Sequence, residues 1–204
     1  MTTLLVIAKE PVPGRVKTRL TPPFTPSEAA ALAAASLADT LSAVMDTPAD
    51  RRVLVLDGSP GPWTPPGLEI RPQCGGGLDE RLAAAFAACA GPALLIGMDT
   101  PQVTPGLLEP ALDFSRYDAW FGPADDGGFW ALGLRDPDPA LLLGVPMSVP
   151  QTGSAQRARL RHLKVGDLPA LRDVDTAADA REVAAQAPWT RFARAHLALS
   201  AALR

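Results

Sequence analysis

The residues best suited to chemistry are acids and bases set in short segments rich in glycine and proline. Asp99 follows the apolar run Ala93-Leu94-Leu95-Ile96-Gly97 and precedes Thr100-Pro101. Open α/β sheets bind ligands just past the carboxyl ends of their strands, so an acid there is placed to hold a divalent metal on a nucleotide phosphate. The same Asp-Thr-Pro run also suits a turn or a helix cap. Asp173 and Asp175 can complete such a site, because residues two apart on an extended backbone point to one side. Magnesium and manganese prefer oxygen ligands and keep several waters, so two or three carboxylates plus phosphates suffice. Capping of a following helix by Asp175 or Thr176 is compatible with that use. Asp126 lies in Asp125-Asp126-Gly127-Gly128, a good hairpin turn that also lets backbone approach a ligand.

The opposite charge is concentrated in Ala8–Leu20. Lys9, Arg15, Lys17 and Arg19 fall within eleven residues, beside a single acid, Glu10. Pro11, Pro13 and Gly14 stop both strand and helix, so a rigid loop leaves the sheet there. Four cations on a Gly/Pro loop at the end of a first strand suit phosphate groups, with a solvated basic loop as the plainer alternative. Gln73 and the glycines 75–77 form a second loop, able to pass a base or ribose or simply to turn.

The elements that must position these segments alternate. Leu4–Ile7 is apolar without alternation, as in a parallel strand covered on both faces. Strands are expected at Arg52–Leu56, Leu68–Ile70 and Ala93–Gly97. A hairpin is expected from Asp118–Gly122 and Phe129–Leu134, and a late edge strand at His162–Val165. Helices are expected over Pro26–Met45 with Ser27 as cap, Leu82–Ala90, Pro105–Phe114, 138–143, 154–161, 177–186 and 189–203. The pattern predicts one α/β domain over residues 1–204, with a mainly parallel sheet and an antiparallel insertion. The last helix carries Trp189, Phe192, Ala195, Leu199 and Leu203 on one side, for packing on the core or for a dimer.

Composition narrows the partners. The chain is 47% hydrophobic and 20% charged with a net charge of −3, which argues against nucleic acid or a membrane surface and for a small anion at the basic loop. Cys74 and Cys89 have no zinc spacing and no partner motif, so both are expected reduced. The N-terminus has no leader pattern and no apolar run looks long enough to span a bilayer, which makes a cytoplasmic protein, monomeric or homodimeric, the expectation. G-x-x-x-x-G-K-[ST], G-x-G-x-x-G and G-x-S-x-G are all missing, so a P-loop kinase, an NAD enzyme and an α/β hydrolase are set aside.

Five motifs occur together: Pro13-Gly14-x-x-Lys17-Thr18-Arg19-Leu20, Gly77-Leu78-x-Glu80-Arg81, Gly97-x-Asp99-x-Pro101, Asp126-Gly127-Gly128-Phe129 and Asp173-x-Asp175-Thr176. In this order they resemble the glycosyltransferase-like proteins described as radical-SAM/selenodomain-associated transferases, over about residues 3–185. A related branch is the phospholactate/phosphoenolpyruvate guanylyltransferases. The resemblance implies a GT-A-like fold, the nucleotide-diphosphosugar transferase architecture, with Mg2+ or Mn2+ on Asp99, Asp173 and Asp175. It also implies phosphate or nucleotide binding by Lys9, Pro13, Gly14, Arg15, Lys17, Arg19, Gln73, Gly77, Leu78 and Arg81. Lys17 would help neutralise the leaving group, and Asp126 is the best available base. The expected activity is glycosyl transfer from a nucleotide-diphosphosugar to a small-molecule acceptor. Nucleotidyl transfer from a nucleoside triphosphate and non-catalytic nucleotide binding are the alternatives. Relatives often carry Trp-Ser-Thr after the hairpin where this chain has Met147-Ser148-Val149, so the acceptor does not transfer.

Overall fold

A computed structural model describes residues 1–202. Seven strands form one sheet: β1 (Thr3–Lys9), β2 (Arg51–Asp57), β3 (Glu69–Pro72), β4 (Ala93–Ile96), β5 (Ala119–Pro123), β6 (Phe129–Leu134) and β7 (Val165–Asp167). Their order is β3-β2-β1-β4-β6-β5-β7. Only β6 runs against the others, pairing antiparallel with both β4 and β5. This is the mainly parallel sheet with one reversed hairpin strand of the nucleotide-diphosphosugar transferase fold. Because β1 sits between β2 and β4, the crevice past the carboxyl ends of β1 and β4 is the topological switch point, where open sheets take ligands.

Successive side chains on each strand serve opposite faces. Leu4, Val6, Leu54, Leu94 and Ile96 pack with Leu37, Leu41 and Val44 of α1 (Pro26–Asp46). Leu5, Val53, Val55, Leu95 and Leu132 pack with Leu82 and Phe86 of α2 (Leu78–Ala87). The connections after β4 and β6 are α3 (Pro105–Leu108) and α4 (Thr152–Arg159), and the chain closes with α5 (Ala177–Gln186) and α6 (Arg191–Ala202). By length and composition α1 is apolar enough to cross a membrane, contrary to the expectation that no such segment exists. Here its apolar side lies against the sheet. Phe192 of α6 is buried with Val183 of α5 and Leu32 of α1, whereas Trp189 and Leu197 are largely exposed. Leu203 lies outside the described residues.

Several boundaries differ from expectation for identifiable reasons. Thr25, not Ser27, caps α1: its hydroxyl accepts the Glu28 N–H at 3.3 Å and the Glu28 carboxylate accepts the Thr25 N–H at 2.7 Å. α2 begins four residues before Leu82, because the Glu80 carboxylate accepts the Gly77 N–H at 2.6 Å and closes the first turn. The expected helix over 105–114 is broken into α3 and a 3-10 turn at Glu109–Leu112, since Pro110 offers no N–H to continue it. The edge strand slides to Val165–Asp167, where Gly166 lies opposite Trp120. A Cβ at Gly166 would come within 2.6 Å of the Trp120 ring.

Candidate active site

The loop after β4 and the strand-like segment Asp173–Asp175 lie side by side. The Val174 N–H donates to the Asp99 carbonyl at 2.9 Å, and the Gln102 amide donates to the Arg172 carbonyl at 2.7 Å. Val174 turns its side chain into the core, which sends Asp173 and Asp175 the other way, into the crevice beside Asp99. The basic loop enters from β1. Lys17 Nζ lies 2.8 Å from Asp99 Oδ1 and 3.2 Å from Asp175 Oδ1, and Arg19 Nη2 lies 3.3 Å from Asp175 Oδ2. The Lys17 side chain is only 8% exposed.

These charges perturb one another. Burial alone would push the Lys17 amine down, but Asp99 and Asp175 outweigh it and hold it above its ordinary value. Burial pushes the Asp173 carboxyl up, Asp99 and Asp126 add to the rise, Lys17 opposes it, and the result is a pKa of about 7. Asp126 is exposed at the β5–β6 turn, with its Oδ1 accepting the Gly128 N–H at 2.8 Å. Arg172 braces this wall through Asp125 at 3.2 Å, Asp179 at 3.3 Å and Glu182 at 3.1 Å.

The crevice opens into a cavity of about 510 Å³. Asp99, Asp126, Asp173, Asp175 and Arg19 line it, together with Ile7, Leu78, Leu82, Phe129, Met147 and Val149. Among the described residues, Lys17 (φ 49°) and Ser148 (φ 60°) are the two non-glycine residues with positive φ, and both stand at this site. Such strain persists only where surrounding contacts enforce it. Gly127, also at positive φ, admits the neighbouring chain rather than a ligand: a Cβ there would collide with the Pro150 carbonyl, and Gly127 O accepts the Gly153 N–H at 2.8 Å.

The residues singled out from the sequence therefore divide. Asp99, Asp126, Asp173, Asp175, Lys17 and Arg19 come together. Lys9 ends β1, and Pro13, Gly14 and Arg15 lie along the loop that follows; all four are exposed. Leu78 lines the main cavity, but Gln73 and Arg81 are engaged elsewhere. The Gln73 amide donates to the Ala8 carbonyl at 2.7 Å and the Val55 carbonyl at 3.2 Å, tying the β3–α2 loop to β1 and β2. Arg81 binds the Gly76 carbonyl at 3.0 Å and pairs with Asp57 at 3.5 Å. It lines a separate cavity of about 240 Å³ on the other side of α2. Arg172 and Asp179 escaped the sequence reading, although Arg172 adjoins the Asp-x-Asp motif; Thr176, one of the two expected caps, does cap α5, its hydroxyl accepting the Asp179 N–H at 3.3 Å.

The acids can be tested as a metal site. Among the described residues, no three His, Cys, Asp or Glu side chains group closely enough to enclose one ion. The donors are nevertheless all carboxylates, and Asp99 Oδ1 is buried without a well-aligned hydrogen bond, its neighbour being the Lys17 ammonium. That chemistry fits a hard divalent ion whose remaining positions are filled by water and phosphate oxygen, as Mg2+ usually is bound.

Comparison with known proteins adds the lineage. Residues 29–149 match the family model DUF2064, "uncharacterized protein conserved in bacteria". The chain belongs to this family. No curated protein matches it. The chain is similar to a protein of Desulfovibrio desulfuricans G20 provisionally assigned as a nucleotide-diphospho-sugar transferase. That pair shares 28% identity over 91% of this chain and 87% of the other, with a TM-score of 0.82. Rv0371c of Mycobacterium tuberculosis H37Rv, solved with manganese, shares the fold at 20% identity over 89% and 96% of the chains, TM-score 0.58. So does the 2-C-methyl-D-erythritol 4-phosphate cytidylyltransferase of Thermus thermophilus, at 19% identity over 92% and 100%, TM-score 0.55.

Proposed function

We propose that this protein is a metal-dependent transferase that moves a glycosyl group from a nucleotide-diphosphosugar to a small-molecule acceptor. The observation that supports it best is the meeting of Lys17 and Arg19 with Asp99, Asp173 and Asp175 at the switch point between β1 and β4. The similarity to the Desulfovibrio protein points the same way. In this reading Lys17 and Arg19 hold the phosphates, with Lys9 at the end of β1 and Arg15 on the loop exposed for the outer charges. Asp99 and Asp175, with Asp173 beside them, would hold Mg2+ or Mn2+, which supplies neutralisation of the diphosphate leaving group. The Gly128 N–H fixes the Asp126 carboxyl, the candidate base for the acceptor. The radical-SAM-associated branch and a single catalytic domain remain part of this proposal.

Nucleotidyl transfer is the second reading. Three exposed cations, Lys9, Arg15 and Arg19, would suit a triphosphate, and the cytidylyltransferase from Thermus shares the fold. A thermal-shift panel of nucleotide sugars and nucleoside triphosphates, each with and without Mn2+, separates the two. A ligand at 100 times its Kd adds about 2.7 kcal/mol, which for about 200 residues raises Tm by about 5–10 °C. Metal-dependent stabilisation by a nucleotide sugar alone is expected, and loss of it in Asp99→Ala. Preference for a triphosphate would replace the first reading with the second. Unchanged metal-dependent binding in Asp99→Ala would overturn both.

A further inference from the structure

We propose that Lys17 is the resident cation of the acidic site, and that a divalent ion enters by displacing its ammonium. This rests on the metal-using part of the function proposed above. Lys17 Nζ bridges Asp99 Oδ1 and Asp175 Oδ1 at 2.8 and 3.2 Å, so the two carboxylates best placed to share an ion already share a protein cation. A divalent ion bonds carboxylate oxygen at about 2.0–2.6 Å. Bound to the same two oxygens, it would stand in contact with the ammonium, and two like charges in a largely buried crevice repel strongly. The two occupants are therefore exclusive.

The loop is built so that the exchange can occur. Lys17 is held in the left-handed region at φ 49°, ψ 37°, which disfavours an L-residue; its side-chain bonds to the two carboxylates and the Leu20 N–H donated to its carbonyl at 2.9 Å keep it there. Three residues earlier Gly14 has φ +77° and open space around it, and Pro13 through Arg15 are exposed. When the ion takes the carboxylates, Lys17 loses the side-chain contacts that help to hold its backbone in this conformation. Its four-carbon stem then carries the ammonium to the incoming phosphates. Holding acids at rest and phosphates when loaded thus become successive states of one side chain.

The test uses Mn2+ alone, so it does not depend on the donor, the acceptor or any turnover. Mn2+ affinity is measured by calorimetry for the wild type, Lys17→Met and Arg19→Gln. Arg19→Gln removes an equal charge from the other oxygen of Asp175, but from a side chain that is 73% exposed. Displacement predicts at least about tenfold tighter binding for Lys17→Met, a typical coupling between competing ligands. It predicts less than about threefold for Arg19→Gln, as for an exposed pair. In the wild type, amine acylation read by peptide mass spectrometry should leave Lys17 protected without metal and label it with saturating Mn2+. Circular dichroism checks that Lys17→Met is folded, and if it is not, the wild-type labelling decides. Three outcomes overturn the proposal: Mn2+ binding with Lys17 still protected, no gain for a folded Lys17→Met, or no Mn2+ binding by wild type and variant alike.

Discussion

Asp173→Asn should make the metal-free protein more stable at neutral pH. The folded carboxyl titrates at about 7 and an unfolded aspartate at about 3.9. Below about pH 4 both states are protonated and the group contributes nothing. Between about 4 and 7 the unfolded chain releases this proton while the folded chain keeps it, so stability falls as pH rises; above about 7 the penalty is constant. Three units correspond to about 4 kcal/mol, a ceiling, because Asp99, Asp126 and Asp175 share the burden and can relax with it. Asparagine imitates the protonated carboxyl and escapes the penalty. Urea unfolding in EDTA at pH 4.5, 6 and 8 should show the variant's advantage growing from near zero to roughly 1–4 kcal/mol, a Tm gain of about 2–15 °C. An advantage independent of pH, or a variant less stable than wild type at pH 8, would refute the account of a carboxylate held at a cost beside other acids.

Three other substitutions probe how the site is held. Asp39 is nearly buried and accepts the Arg191 and Phe192 N–H groups at 3.0 and 2.8 Å; Asp39→Ala should cost about 2–3 kcal/mol in urea unfolding, as for a charged cap. Gly127→Ala adds a Cβ against the Pro150 carbonyl at φ +89°, so it should destabilise by roughly 1–3 kcal/mol. Proteolysis should then cut first within 147–153, where the loop is pushed from the turn. Thr25→Ala removes one half of the reciprocal cap on α1 and should cost about 1 kcal/mol, read as a lower urea midpoint with unchanged slope.

Strand identity was legible wherever burial alone decided it. Leu4–Ile7 and Ala93–Ile96 are covered on both faces, so unbroken apolar runs marked them without help from context. The failures are places where one residue's contact overrides its local preference. Gly166 reads as a strand breaker until the Trp120 ring is seen lying on it. The Gly75–Gly77 run hides a helix start because its cap comes from Glu80, three residues downstream of Gly77. A Gly-x-x-Glu spacing was available as a signal, and the flanking glycines obscured it.

The site is a different case, because its residues were chosen by type while their grouping depends on the backbone. Asp173 and Asp175 converge with Asp99 through one hydrogen bond, from the Val174 N–H to the Asp99 carbonyl, and through the burial of Val174 between them. An alternating Asp-apolar-Asp segment was therefore enough to predict convergence once the strand-like geometry held. Gln73 and Arg81 had equal chemical promise, but their donors are consumed in joining β1, β2 and the β3–α2 loop. Nothing in their identity separates a side chain that meets a ligand from one that meets a carbonyl. The same distinction applies to Lys17, which by residue type belonged with the phosphate-binding cations. Its ammonium instead neutralises two carboxylates at 2.8 and 3.2 Å, while Arg19, two residues on, stays exposed with one. Depth decides between them: the Lys17 side chain is 8% exposed and meets two carboxylates, whereas that of Arg19 is 73% exposed and meets one.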